Sequence, residues 1–489
     1  MGENMLDHRS LPHAAPPAPA RGDLSILAGT PHRRQSGNET AHLIHVADSR
    51  AEVDAYRALR RAEFVLRQGL FDGSDADDVD DDPRMVALIA VTDDGAVVGG
   101  VRVAPCLDPD IGYWAGSRLV VDPDRPIRGV GAALIRAACA YVETAGALRF
   151  DACVQDRFAG LFTGLGWEDC GADVTVRGRA HRRMRWPIGR IQRAADATKA
   201  PLAQILTPFR AQPTGLGPAG FRGDDGAPVP GTDLIAACDA IVPSMVERDP
   251  EWAGWCSVLV NINDLAAMGA APIGLLDAVG GPTRAHVERV IRGIAEAADA
   301  WGTAVLGGHT QFGVPSVLAV TALGRTDRPI AAGAGRVGDV VSLLADTTGE
   351  WRPGYHGRQW DSTSSRDPEA LRQMTELPAR LRPRAAKDVS MAGVVGTLGM
   401  LAEASGTGAE LDVSAVPRPT EAAMGDWLTC FPGYGMLLAD TRPADPGSAA
   451  PVVSAACGRL VAGAGVRLRW PDGVSTVAVA GGVTGLGAA

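Results

Sequence analysis

No uninterrupted apolar stretch in these 489 residues is long enough to cross a bilayer, so a membrane-spanning helix is not expected. Basic excess is missing too. Against 57 Asp and Glu stand 47 Lys and Arg, and a net charge of −10 leaves no broad positive surface for a nucleic-acid partner. The eight cysteines, at 106, 139, 153, 170, 238, 256, 430 and 457, contain no Cys-x-x-Cys pair. That speaks against a zinc site or disulfide framework and for the reducing cytoplasm. Residues 1–40, rich in Pro, Ala and Arg, show no apolar core followed by a small-residue cleavage site, so a disordered tail is expected rather than a secretory signal. Short tandem repeats are absent. What is present is a globular composition, 46% hydrophobic and 21% charged, in a chain too long for one core, which points to two or three domains.

The first patterned region covers 41–187. Val86–Val91 and Ala96–Val103 read as strands around an Asp93-Asp94-Gly95 turn, and Ser117–Val121 as a third strand. Apolar spacing predicts a helix over Gly129–Glu143. Between Val121 and that helix lies Arg128-Gly129-Val130-Gly131-Ala132, a loop whose small residues allow backbone N–H groups to approach a phosphate at a helix N-terminus. Leu161-Phe162-Thr163-Gly164-Leu165-Gly166-Trp167 follows, with Leu70–Asp75, Gly146–Phe150 and Val154-Gln155. Together these phrases resemble the GNAT acyltransferases, and more specifically the nitrogen-starvation N-acetyltransferase subfamily associated with nitrilase gene clusters. The resemblance implies a GNAT fold and an acetyl-CoA pyrophosphate bound by Val121, Arg128, Gly129, Val130, Gly131 and Ala132. Three positions depart from the family: Pro126 replaces its Gln or Arg, Phe158 its Asn, and Phe162 the Tyr that serves as general acid. Phenylalanine donates no proton, which puts acyl transfer in question. The acidic run Asp72–Asp82 reads as a solvated loop or, functionally, as an attractor for a cationic amine.

Residues 188–214 form a basic connector, helical and broken at Pro201 and Pro208, before an α/β half over 215–345 and a second over 346–489. The stretch 349–366, with Trp351, Tyr355, His356 and Trp360, reads as a substrate-facing insertion or a surface excursion. Acidic residues recur in glycine-rich or apolar contexts: Asp224 and Asp225, Asp239, Asp264 and Asp388. A carboxylate inside an apolar segment is costly unless a positive partner compensates it. A divalent cation does so most simply, and hard oxygen ligands suit Mg²⁺ carrying a nucleotide's phosphates.

Asn261–Pro272, with its Asn263-Asp264 helix and Ala267-Met268-Gly269 end, resembles the PurM-like superfamily, which includes AIR synthetase, thiamine-monophosphate kinase and selenophosphate synthetase. Gly223–Ala227, Gly307-Gly308-His309-Thr310, Gly335–Asp339, Lys387–Ser390 and Ser405–Asp412 match further elements in order. The resemblance implies a two-lobed fold that binds ATP and Mg²⁺ and dimerises through its N-terminal lobe. It assigns Asp224, Asp225, Asp239, Asp264 and Asp388 to the metal or its waters. Asn263, Lys387, Gly307 and Gly308 are expected beside phosphates, and His309 to contact phosphate or act on a proton. Selenophosphate chemistry is disfavoured because 213–230 holds no cysteine, and the related dehydratase because the sequence ends without Cys.

The expected fold class is thus α/β and α+β, a GNAT fold followed by a two-lobed PurM-like fold. The expected protein is a cytoplasmic, homodimeric, bifunctional enzyme acting on small molecules. Acetyl-CoA would serve one domain, and ATP with Mg²⁺ the other, which activates an oxygen of a small nitrogen-containing metabolite. Two alternatives stand: a thiamine-monophosphate-kinase-like enzyme with an appended domain, or an ATP-dependent enzyme regulated by a degenerate, acetyl-CoA-sensing GNAT domain.

Overall fold

A computed structural model describes residues 42–200 and 202–489; the tail expected over 1–40 and the break at Pro201 lie outside them. The chain divides into two compact units. The smaller comprises 42–104, 114–142 and 151–186, and the larger 105–113, 143–150 and 187–489.

The smaller unit centres on a seven-stranded sheet of β1 (His42–Val46), β2 (Val86–Thr92), β3 (Val97–Pro105), β4 (Tyr113–Val121), β5 (Arg149–Gln155), β6 (Glu168–Val176) and β7 (Arg179–Trp186). The order is β1-β2-β3-β4-β5-β7-β6. The β2–β3 hairpin turns at Gly95, whose φ of +80° suits glycine. Helix Arg50–Arg60 starts at a capping box in which Ser49 and Glu52 satisfy each other's backbone N–H groups. From this helix Tyr56 reaches across the sheet: its ring lies against Gly100, where a β-carbon would collide, and its hydroxyl donates to the Arg118 carbonyl at 2.8 Å.

Most aspartates of the acidic run, Asp72, Asp77, Asp78 and Asp81, are exposed as in a solvated loop, but not all are. Asp75 and Asp80 are buried, and with Asp77 they pair with three arginines. Arg60 contacts Asp75 at 2.7 Å and Asp80 at 2.5 Å, Arg102 contacts Asp77 at 2.6 Å and Asp80 at 2.8 Å, and Arg118 contacts Asp75 at 3.0 Å and Asp77 at 2.9 Å. The run spends these charges on holding its own loop to the sheet.

The larger unit carries two main sheets. One comprises β8 (Ala227–Pro228), β9 (Leu234–Ala240), β10 (Ala271–Gly281), β11 (Val305–Phe312) and β12 (Val317–Arg325), in the order β11-β10-β12-β9-β8. Helices Pro250–Ala267 and Arg284–Ala300 cover one face of it, the second capped by Thr283. They approach closely where Gly254 meets Val290 and Gly293 meets Glu251, positions at which a β-carbon would strike the facing backbone.

The other sheet draws on β13 (Val340–Ala345), β16 (Ala385–Asp388), β17 (Gly408–Asp412), β18 (Gly435–Asp440), β19 (Val453–Val461), β20 (Val466–Arg469) and β21 (Ser475–Val479), ordered β16-β18-β13-β19-β17-β20-β21. A small ribbon pairs β14 (Glu350–Trp351) with β15 (Trp360–Asp361). The 349–366 stretch is therefore no loose excursion. Trp360 is buried with its indole N–H on the Thr348 carbonyl, and Trp252 and Trp255 donate to Gln359 and Thr363.

Candidate active site

Helix Pro250–Ala267 is buried almost all round, so its polar residues are not a solvated edge: Asn261, Asn263 and Asp264 are all buried. Such a position is unfavourable for a carboxylate unless neighbours compensate it. Asp388, the last residue of β16, and Asp225, in the turn before β8, supply the company. One oxygen from each of Asp225, Asp264 and Asp388 lies within 4.8 Å of the others.

Backbone geometry fixes this trio. The Asp388 N–H donates to Asp225 Oδ2 at 2.9 Å, while Lys387 Nζ donates to Asp225 Oδ1. Lys387 is itself buried. Burial works against its charge, but Asp225 and Asp224 outweigh burial and hold the ammonium above its ordinary pKa. At Asp264, burial and then the charge of Asp388 push the carboxyl well up; at Asp388, burial and then Asp225 do the same. Asp388 Oδ1 is buried with no hydrogen-bond partner among the described residues. Three converging carboxylates, one of them with an orphaned buried oxygen, are the hard donor set that Mg²⁺ takes, and the residues fit that ion.

The other acidic residues play different parts. Asp224 Oδ2 accepts from the Ala332 N–H at 2.7 Å and Oδ1 from the Asp225 N–H at 2.9 Å, so both oxygens shape the loop, and burial pushes its carboxyl up to about 7. Asp239, on β9, stands outside the trio. Asn263 spends its amide on the Gly433 carbonyl at 2.8 Å, tying the helix to the second lobe.

Strand register separates the remaining candidates. Asp239 pairs with Val320, Val320 with Asp277, and Asp277 with Gly308, a row on the helix-covered face. His309 belongs to the next row, with Ala278, Ala319 and Ala240, on the open face. The structure thus places His309 on the opposite side of the sheet from the helix that carries Asp264. Gly308 has a local reason to be glycine, since a β-carbon there would strike the Asp277 carboxylate. Gly307 has open space. Asp277, a carboxylate in the apolar Leu275-Leu276-Asp277-Ala278 run with its pKa raised by burial, was open to the same argument as the other acids, and sequence reasoning missed it.

In the smaller unit, Arg128 and Gly129 are exposed at the start of helix Val130–Thr144, and Gly129 turns the chain at φ +91°. Val130 is buried, and Gly131 lies 3.5 Å from the Val121 side chain when a β-carbon is placed on it. Val121, Gly131 and Ala132 are half-buried. Phe162 is buried edge-on to Trp167 at 5.1 Å, and Phe158 is exposed.

Comparison with known proteins supplies independent findings. The family model for the N-terminal domain of AIR synthase related proteins matches residues 223–326, and that for their C-terminal domain 332–464. The acetyltransferase (GNAT) family model matches 53–160. An uncharacterized protein of Synechocystis sp. is 36% identical over 236 residues, covering 47% of this chain and 73% of its own. Thiamine-monophosphate kinase of Synechococcus elongatus is 27% identical over 230 residues, 42% of this chain and 70% of its own. T. maritima PurL, solved in complex with ADP, shares the fold at a TM-score of 0.50 with 16% identity, over 61% of this chain and 51% of that one.

Proposed function

Since the chain belongs to the AIR synthase related family and carries an acetyltransferase (GNAT) family domain ahead of that part, we propose that it is a two-domain cytoplasmic enzyme whose larger unit uses Mg-ATP to phosphorylate or otherwise activate an oxygen of a small nitrogen-containing metabolite. The observation that carries this reading is the convergence of Asp225, Asp264 and Asp388, together with an Asp388 Oδ1 that is buried and unpartnered among the described residues. Mg²⁺ held there would neutralise charge on a phosphoryl group and align it for attack. The chain's own residues do the rest. Lys387 and the Asp388 N–H hold Asp225 in one orientation, and burial of Asp264 and Asp388 keeps bulk water from the carboxylates. The likeness to thiamine-monophosphate kinase supports phosphoryl transfer as the reaction class. The nitrogen-containing substrate rests on the subfamily resemblance of the smaller unit.

Calorimetric titration of the full chain with Mg-ATP tests the site. Wild type is expected to bind, and Asp264→Asn to lose at least about tenfold in affinity, since removing a ligand's charge removes a strong charge-assisted contact. Equal binding by the two proteins would exclude Asp264 from the metal set.

For the smaller unit we propose acetyl-CoA binding at 128–132. Phe162, buried and without a hydroxyl, leaves the family's general-acid position empty of a donor, which favours sensing over rapid transfer. Acetyl-CoA binding without release of free thiol in the presence of amines supports sensing; release supports transfer.

A further inference from the structure

A cleft of about 1100 Å³ in the larger unit is lined by none of Asp225, Asp264, Asp388 and Lys387. Three helices end at it. Helix Pro250–Ala267 brings Gly269, helix Arg284–Ala300 brings Gly302, and helix Pro368–Leu381 brings Arg382. A helix commonly closes on a residue in the left-handed conformation, which glycine adopts without a β-carbon clash. Gly269 at φ +68° and Gly302 at φ +62° follow that rule. The third end breaks it, because Arg382 takes φ +51° with a full side chain. Strain of this kind concentrates at ligand clamps and switch regions. The helix dipole does not account for it, since Arg380 already supplies a cation in the last helical turn.

Charge points the same way. Five arginines line the cleft against Asp327, Glu376 and Asp440, an excess of positive charge on a chain whose net charge is −10. Three of the five are engaged: Arg325 with Asp233 at 3.1 Å, Arg384 with the buried Asp339 at 2.5 Å, and Arg372 with Glu369. Arg328 and Arg382 are exposed, and their side chains make no hydrogen bond or ion pair among the described residues. They come from separate elements. Arg328 lies in the loop after β12, where its own N–H donates to Thr326 Oγ1 at 3.2 Å and the Ile330 N–H pins the loop to the Met268 carbonyl at 3.0 Å.

A guanidinium presents a planar fork that matches carboxylate and phosphate oxygens, so two of them unpaired on one cleft form a receptor for anionic groups. The volume suits a metabolite rather than a simple ion. We propose that this cleft binds a small polyanionic metabolite whose phosphate or carboxylate oxygens pair with Arg328 and Arg382. It is a second site, separate from the metal carboxylates. β16 starts one residue after Arg384 and carries Asp388 at its other end, roughly 13 Å of extended chain from the cleft.

The test is calorimetry on the full chain in EDTA with pyrophosphate and with citrate, against sodium chloride at equal ionic strength, for wild type, Arg328→Gln, Arg382→Gly and Asp264→Asn, with melting temperatures in parallel. Wild type is expected to bind one of the two anions with a Kd below about 1 mM. Tighter pyrophosphate identifies a phosphate ester as the ligand class, and tighter citrate a polycarboxylate. Arg328→Gln and Arg382→Gly are each expected to weaken that binding by roughly tenfold, the range of a hydrogen bond to a charged group. Glycine relieves the left-handed strain, so Arg382→Gly should melt no earlier than wild type, which separates its loss of affinity from unfolding. Asp264→Asn, altered at the metal site, is expected to bind the anion as wild type does. Heats no larger than those of chloride, or unchanged affinity in either arginine variant, overturn the proposal. An equal loss in Asp264→Asn overturns it too, by placing the anion at the metal site.

Discussion

Lys387 shows how one side chain sets the stability and the chemistry of a site together. Its ammonium is the cation in direct contact with Asp225 and lies 4.0 Å from Asp224 Oδ1, all of it buried. Removing one member of a buried ion pair strands the other, so Lys387→Met is expected to cost about 3–5 kcal/mol in urea unfolding. Mg²⁺ at saturating concentration should return part of that, because it replaces the lost positive charge. The Asp75–Asp77–Asp80 network answers to pH instead. Burial opposes ionisation of Asp80, but the hydrogen bonds of Arg60 and the charge of Arg102 outweigh it, so its folded pKa falls below the ordinary value. A carboxylate depressed in the folded state stabilises above its unfolded pKa, about 3.9, and loses that contribution as pH falls toward the folded value. The stability gap between wild type and Asp80→Asn, followed by circular dichroism, is therefore expected to be full at pH 7 and to narrow below about pH 4. A gap independent of pH would contradict the assignment. The acids of the larger unit were legible one by one because a carboxylate amid apolar residues is conspicuous. What composition does not disclose is which oxygens converge: Asp224 accepts backbone N–H groups on both its oxygens, while Asp277 enters the picture through strand register.

Helix Pro250–Ala267 illustrates what periodicity can and cannot deliver. Its segment was readable as helix and Asp264 as a carboxylate inside it, but a helix buried nearly all round has no polar face, so periodicity alone does not say what Asn263 and Asp264 point toward. The decisive contact is with helix Arg284–Ala300, and it is made through glycine. At Gly293 a β-carbon would collide with the Glu251 carbonyl, and at Gly254 with that of Val290. Gly293→Ala raises intrinsic helix propensity by up to about 1 kcal/mol, yet forcing the helices apart costs about 1–3 kcal/mol. Net destabilisation of the full chain is the expected result of thermal melting; a stabilised variant would show that the helices separate freely. Because Asp264 rides on the facing helix Pro250–Ala267, a weakened response to Mg²⁺ should accompany the loss. Elsewhere local signals sufficed, as in the Asp93-Asp94-Gly95 hairpin, observed between Val86–Thr92 and Val97–Pro105. The 349–366 stretch was opaque because it is ordered by partners far away in the chain, as where Trp252 and Trp255 donate to its Gln359 and Thr363.

Beyond a single chain, β11 leaves an unsolved problem. It is the edge of its sheet, all eight residues from Val305 to Phe312 are exposed, and its outer row of backbone N–H and C=O groups lacks a neighbouring strand among the described residues. Leu306 is 59% exposed and Phe312 58% exposed, on an edge that carries no Lys, Arg, Asp, Glu or Pro to discourage pairing. The adjoining open face holds Cys238, Ala240, Leu276, Ala278, Ala319 and Thr321, small or apolar and without a formal charge, where the opposite face is covered by two helices. A second copy of the chain, related by a two-fold axis, would satisfy both deficits at once by presenting the same surface to itself. His309 and Gly307, which face away from the helix bearing Asp264, would then lie at the seam between copies. The expected outcome is a dimer for wild type by light scattering at micromolar concentration. Leu306→Lys, which places a charge where the two edges meet, should give a monomer whose far-ultraviolet dichroism is unchanged. A monomeric wild type, or a dimer indifferent to Leu306→Lys, would remove β11 from the assembly and leave its apolar edge to be covered by some other means.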